Sequence, residues 1–286
     1  MTAAPIHPPT PGSIPGNPVC PGTAVVAVER RSFARVDADF DWVAEEIPVS
    51  LEYNGIAHAV MLATPADLKD FALGFSLTEG IAATPADLRD IEVDILPRGI
   101  AVRIELAGQR FDLLKRRRRA LAGRTGCGLC GTESLDQVVR GLPPVTAAAT
   151  FRPAAMAEAL ARLRAGQHLL GKTGATHAAA WMDVGGHVAL IREDVGRHNA
   201  LDKLVGALAR RGIDATAGAA LVTSRASFEM VQKAASAGIG MLAAVSAPTL
   251  LAVQTAERLG VTLVGFARQD RSVVYAHGWR LKGAAS

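Results

Sequence analysis

The chain has 286 residues, of which 49% are hydrophobic and 20% charged, with a formal charge of +4. That length buries one large core or two of ordinary size, and the mild basicity admits an anionic ligand without demanding nucleic acid. Three cysteines exclude a disulfide framework, and no apolar run approaches the ~18 residues of a membrane span.

Residues 1–22 are rich in proline, without periodicity, and are read as a disordered tail in which Cys20 is incidental. The start, MTAAPIHPPTPG, lacks the charged end and apolar centre of a signal peptide, so the expected setting is a reducing cytoplasm.

Residues 23–121 read as a small α+β domain. VVAVERR and PVSLEYNG alternate as strands do. TPADLKDFALGFSLTEG predicts a helix capped by Thr64, with Pro65 in its first turn and Gly80 at its end. A second TPAD, at Thr84, is too short to argue for a repeat, and IEVDIL and IAVRIEL follow as strands. FDLLKRRRRALAG predicts a helix with Phe111, Leu113 and Leu114 on one side. Its five consecutive cations, Lys115 to Arg119, form either a solvated face or an anion-attracting collar.

Residues 122–149 hold a loop, GRTGCGLCG, and a connecting helix bearing Leu135, Val138, Val139 and Leu142. From 150 to 286, after a helix through MAEALARLRAG, the pattern becomes that of an α/β domain. HAAAWMDV and HVALIREDV form a hairpin through Gly185–Gly186. GRHNALDKLVGALARRG is a helix with Leu201, Leu204, Val205 and Leu208 on its apolar face. Three more strands, AALVTS, IGMLAAVS and VTLVGF, alternate with two helices, which predicts parallel βαβ units. Ser246 with Pro248 reads as an ordinary cap for the second of those helices.

Ligands of open α/β sheets bind beyond the carboxyl ends of the strands. Here those ends carry Arg225, Arg268 and Arg271, which together would bind a phosphate or pyrophosphate. Neither a phosphate-binding GxxxxGK[ST] loop nor a dinucleotide GxGxxG turn is present.

Cys127 and Cys130 permit several chemistries. A structural zinc site needs four ligands, and His58, His168, His177, His187, His198 and His277 include no H-x₃₋₅-H pair. No histidine precedes a glutamate by two positions, as a zinc deaminase requires. A dithiol redox site would sit early, where a strand meets a helix, whereas this pair comes late and among glycines. Persulfide sulfur transfer needs an exposed thiolate near cations, free to reach two partners. Lys115 to Arg119 and Arg124 supply cations, and Gly123, Gly126, Gly128 and Gly131 give the loop freedom. A mobile loop with two ordinary thiols fits the same residues.

RTGCGLCG, IREDVGRHNALDKLVG, VTSRASFEMVQKAA and VGFARQDRSVVY, in this order, resemble the FdhD family of formate dehydrogenase accessory proteins. GFSLTEGI and GKTGATHAAAW do so as well. The resemblance runs from about residue 23 to the C-terminus. It implies an α/β fold with a cytidine-deaminase-like C-terminal domain, lacking zinc chemistry, beside the smaller N-terminal α+β domain. It implies a sulfurtransferase that takes sulfur from a cysteine desulfurase and passes it to the molybdenum cofactor, bis-molybdopterin guanine dinucleotide, for formate dehydrogenase. By motif position Cys127 carries the persulfide and Cys130 assists. Phe266, Ala267, Arg268, Gln269, Asp270 and Arg271 form the cofactor-binding segment, for which GDP is a mimic. A cytoplasmic homodimer without structural metal, nucleic acid or membrane partner is the corresponding expectation. Ala175 stands where the pattern leads one to expect glycine, and the resemblance assigns no role to His177, Asp194, Arg197 or His198.

Overall fold

A computed structural model describes residues 21–33, 35–121, 141–268 and 271–283. Cys127, Cys130, Gln269 and Asp270, together with Cys20 and residues 132–140 of the expected connecting helix, lie outside the described residues.

The first strands, β1 (Thr23–Arg31) and β2 (Val36–Ala44), pair as an antiparallel ribbon. Strand β2 carries Asp37, Asp39 and Asp41 among its alternating residues, which hides it from a search for apolar runs. A four-stranded sheet follows, in the order β4-β3-β6-β5, from β3 (Ile47–Tyr53), β4 (Ile56–Ala63), β5 (Leu88–Leu96) and β6 (Gly99–Leu106). Strands β3 and β4 join through Asn54–Gly55, with φ of 48° and 78°, the left-handed pair that a tight hairpin turn requires. Helices α1 (Leu68–Thr78) and α2 (Gly108–Leu121) supply Phe71, Phe75 and Leu114 to a core shared with Val49, Leu51 and Tyr53.

Two local expectations fail here. Thr64 does not cap α1. The helix starts after Asp67, at φ 55° and without a side-chain capping bond, because buried Thr64 is engaged by Asp194, 130 residues away in sequence. The second TPAD is the one that caps: Asp87 accepts from the Ala83 and Thr84 N–H groups at 2.7 and 3.0 Å, closing a 3-10 turn. On α2, Leu114 is buried but Leu113 is 45% exposed, so the two lie on different sides. Lys115 of the cationic run lies 2.7 Å from Asp112 and over the Phe111 ring.

The second half forms a six-stranded sheet, in the order β12-β11-β10-β9-β7-β8. Its strands are β7 (His177–Asp183), β8 (Val188–Asp194), β9 (Gly218–Val222), β10 (Met241–Ala244), β11 (Thr262–Gly265) and β12 (Val273–Ala276). The βαβ alternation makes β9, β10 and β11 parallel, while β7, β8 and β12 join antiparallel, so the sheet is mixed. Helix α3 (Pro153–Ala165) and the short α4 (His168–Thr173) lie on one face, where Met156, Leu160 and Leu163 pack on Met182, Leu221 and Met241. Helices α5 (Arg197–Arg210), α6 (Phe228–Ser236) and α7 (Leu250–Leu259) cover the other, with Leu201, Leu204, Val205 and Leu208 buried as their spacing predicts. The cap of α7 is Thr249, whose hydroxyl accepts from Ala252 N–H at 3.2 Å, and not Ser246.

The two sheets are joined where α1 crosses α5. Gly74 and Gly206 bring the two backbones together: a Cβ on Gly74 would overlap the Asp202 carbonyl, and one on Gly206 the Asp70 carbonyl. Buried charges flank the crossing. Asp70 accepts from Arg192 and Arg210, each at 2.7 Å, and Thr78 donates to Asp202 at 2.6 Å. Lys233 Nζ lies 2.9 Å from Asp202 Oδ2 and 2.6 Å from Glu79 Oε1. Burial pushes the Asp202 carboxyl above the usual carboxylate range. Burial also opposes the Lys233 charge, but Asp202 and Glu79 outweigh it and hold that ammonium above its ordinary value. Among the described residues no helix is long and apolar enough to cross a membrane.

Candidate functional site at the carboxyl edge of the sheet

Strands β9, β10 and β11 end at one edge, where the chain runs on into Thr223, Val245 and Phe266. On the α5–α6 side of that edge is a polar cluster built around Asp194. Asp194 is fully buried at the end of β8. Its Oδ1 accepts from Gly196 N–H at 2.8 Å and Asn199 Nδ2 at 3.0 Å. Its Oδ2 accepts from Thr64 N–H at 3.1 Å and lies 2.6 Å from Lys203 Nζ. Burial pulls the Lys203 ammonium below its usual range, with the Asp194 charge opposing that shift. Asp194 is thus the anchor of the turn into α5, while the cap position itself belongs to Gly196.

That turn presents Arg197 and His198 beside His177, which pairs opposite Asp194 in the ladder. Burial, then the Arg197 cation, holds the His177 ring below the ordinary imidazole value. His198 Nε2 lies 2.8 Å from Glu229 Oε2 on α6, and the nearness of that ring keeps the Glu229 carboxyl below the usual carboxylate range. Arg197 Nε and Ser227 Oγ are buried without a hydrogen-bond partner among the described residues. Nor do three His, Asp or Glu side chains converge there as metal ligands.

On the α3–α4 side of the edge is a cavity of about 460 Å³, floored by Leu160, Leu163 and Ala267 and edged by Arg164 and Arg268. Gln167 and Thr223 bring polar atoms into its lining. A smaller cavity of about 340 Å³ adjoins it, lined by Phe266, Arg268, Arg271, Ser272 and Val273. Arg268 therefore borders both. Phe266 has φ 48°, a left-handed backbone that costs a non-glycine residue of order 1–3 kcal/mol and that clusters at ligand sites. The strand end is held by main-chain bonds from Phe266 N–H to Ser246 at 3.1 Å, Ala267 N–H to Ala244 at 3.0 Å and Arg268 N–H to Arg271 at 2.9 Å.

Of the three arginines expected to converge, Arg268 and Arg271 share a cavity; Arg225 is exposed beyond β9 and lines neither. At the 173–177 turn the left-handed position is taken by Gly174, at φ 68°, and not by Ala175, so alanine there costs nothing. Sequence reasoning missed Arg164 and Gln167, because a cavity wall drawn from a helix 100 residues before the strand end leaves no local pattern.

The sequence model described as the FdhD/NarQ family matches residues 44–282. A protein of Cupriavidus necator named sulfur carrier protein FdhD is 56% identical over 286 residues, which is 100% of this chain and 98% of that one. One of the same name from Bordetella petrii is 56% identical over 94% of this chain and 96% of its own length. Among solved structures, a chain designated a formate dehydrogenase accessory protein, from Desulfotalea psychrophila, superposes with a TM-score of 0.71 at 21% identity. The match covers 92% of this chain and 100% of that chain, a likeness of fold.

Proposed function

The chain belongs to the FdhD/NarQ family, and on that premise we propose that it is a sulfur carrier serving formate dehydrogenase. The observation that carries the reading is the full-length identity with relatives named as sulfur carriers. In finer detail, the Cys127 thiolate attacks the sulfane sulfur of a desulfurase persulfide. The S–S bond of the donor breaks, its cysteine leaves as a thiolate, and Cys127 becomes the persulfide. Cys130 assists the onward transfer to bis-molybdopterin guanine dinucleotide, which is substrate and not a resident group.

The exposed guanidinium groups of Arg268 and Arg271, together in one cavity at the strand end, suit a nucleotide phosphate of that substrate. Gln269 and Asp270 complete the segment by family resemblance. The same reading makes the protein a cytoplasmic homodimer, with a cysteine desulfurase as donor and formate dehydrogenase as recipient. It also makes the six-stranded half cytidine-deaminase-like. The parallel run β9, β10, β11, with helix N-termini meeting beyond it, supports that assignment.

The test is intact-mass measurement after incubation with a cysteine desulfurase and cysteine. Wild type should gain sulfur and Cys127→Ala should not. No gain on wild type, or an undiminished gain on Cys127→Ala, leaves only a binding chaperone. For the phosphate site, GDP binding should be lost in Arg268→Ala/Arg271→Ala, and unchanged affinity would move the site elsewhere.

A further inference from the structure

Helix α2 carries six cations, Arg110 and the consecutive run Lys115 to Arg119, against one carboxylate, Asp112. With these set aside, the chain's 31 Lys and Arg against 27 Asp and Glu become 25 against 26. The whole basic excess of the molecule therefore sits on this one helix. Among its described side chains, Arg110 is used internally, donating to the Ile81 and Gly80 carbonyls at 3.0 and 3.1 Å, and Lys115 lies 2.7 Å from Asp112. Arg116 is exposed, and Leu113, one turn before it, is 45% exposed.

Helix stability does not account for the run. Cations gain about 0.3–1 kcal/mol each from the macrodipole, an effect confined to the last turn. The run starts six residues before the end of α2 at Leu121. Like charges three and four positions apart, as 115 with 119 and 116 with 119, repel by about 0.2–0.5 kcal/mol per pair. Packing does not account for it either. Leu114 turns to the core, and at about 100° per residue positions 115, 116 and 119 fall on the opposite side of the helix.

The place of the run in the chain supplies a reason. Cys127 follows Leu121 by six residues, a tether of at most about 20 Å. A protein that delivers sulfur to Cys127 must bring its surface to that thiol. A standard interface covers about 800 Å² per partner, a disc reaching roughly 16 Å from its centre. The end of α2 then lies under the donor's footprint, or within a Debye length of its rim, about 8 Å at physiological salt. We propose, resting on the sulfur-carrier reading, that the outer side of α2 at Arg116 and Arg119, with Leu113 beside it, is the docking surface for the sulfur-donating protein and recognises an acidic face of that protein. Charges at such a rim set the rate of encounter and its salt dependence more than the tightness of the complex.

The experiment follows the rate of sulfur gain by intact mass, with a cysteine desulfurase and cysteine as donor, at about 50 mM and about 500 mM NaCl. It compares wild type with Arg116→Glu/Arg119→Glu and with Arg116→Lys/Arg119→Lys. Alkylation of the Cys127 peptide by iodoacetamide, a neutral reagent that needs no docking, is measured beside it. Wild type should load about tenfold more slowly at the higher salt. The glutamate variant should load about tenfold more slowly than wild type at the lower salt and lose the salt dependence, with alkylation near the wild-type rate. The lysine variant, which keeps the charge, should load as wild type does. Arg116→Glu alone, at an exposed position that cannot unfold the chain, should show a smaller loss in the same direction. Glutamate variants that load at the wild-type rate, or a wild-type rate indifferent to salt, overturn the docking surface and leave the sulfur carrier standing. Alkylation slowed in step with loading assigns the cations to activation of the thiol and overturns the docking surface as well. No sulfur gain on wild type removes the sulfur-carrier reading and this surface with it.

Discussion

Lys203 Nζ lies 2.6 Å from Asp194 Oδ2, and neither side chain has any exposed surface. The pair joins the end of β8 to α5, and Lys203 also donates to the Thr64 carbonyl at 3.0 Å, so three segments distant in sequence meet at one charge. Removing one partner of a buried pair leaves the other uncompensated. Lys203→Ala should therefore cost about 3–5 kcal/mol, read as a fall in the urea midpoint. A loss below ~1 kcal/mol would show that the pair is not a structural anchor.

His177 gives the molecule an acid-sensitive stability. Burial and the Arg197 cation depress its folded pKa below the ordinary 6.5. Below that value the unfolded chain binds a proton that the folded chain refuses. Its contribution is complete above pH 6.5 and is lost as pH falls toward the depressed folded value. His177→Asn should flatten the decline of melting temperature in that window relative to wild type. Identical slopes would mean that other groups govern it.

Phe266 combines strain with exposure. Gly takes φ 48° without penalty, so Phe266→Gly should change melting temperature little or raise it, while weakening GDP binding. A large fall in stability with normal GDP binding would assign Phe266 to packing instead.

The glycine crossing is testable by a single methyl group. Gly74→Ala and Gly206→Ala each push a Cβ into a backbone carbonyl that has no rotamer to escape with, so each should cost at least ~2 kcal/mol. Gly171 in α4 meets nothing within 4 Å, so Gly171→Ala is the control and should be neutral or stabilising by chemical denaturation.

How much of this was legible in the sequence follows from the range of each interaction. The apolar face of α5, from Leu201 to Leu208, and the strands between the helices are local periodicities, and they form as read. Thr64 was misread because its letters match a cap while its N–H and hydroxyl serve Asp194 and Val195, more than 100 residues later. Strand β12 was overlooked because Val273–Ala276 is only four residues long and pairs antiparallel after a run of parallel strands. The family motifs carry the assignment of Cys127 and Cys130, which spacing alone left open. The Gln167 cavity is a product of tertiary packing alone, since α4 must already be docked before its cap residue faces Arg268.

The crossing of α1 over α5 also bears on whether the chain can be divided. Among the described residues Asp70, on α1, pairs with Arg192 and Arg210 of the other half, and Lys233 reaches back from that half to Glu79. Produced separately, each segment would present bare glycine backbone and uncompensated ions to water, an invitation to aggregate. Severed after folding, the two pieces would be kept together by the same contacts. The molecule is then best regarded as an obligate pair of fragments that share one peptide chain, and as one that tolerates a nick far better than a truncation.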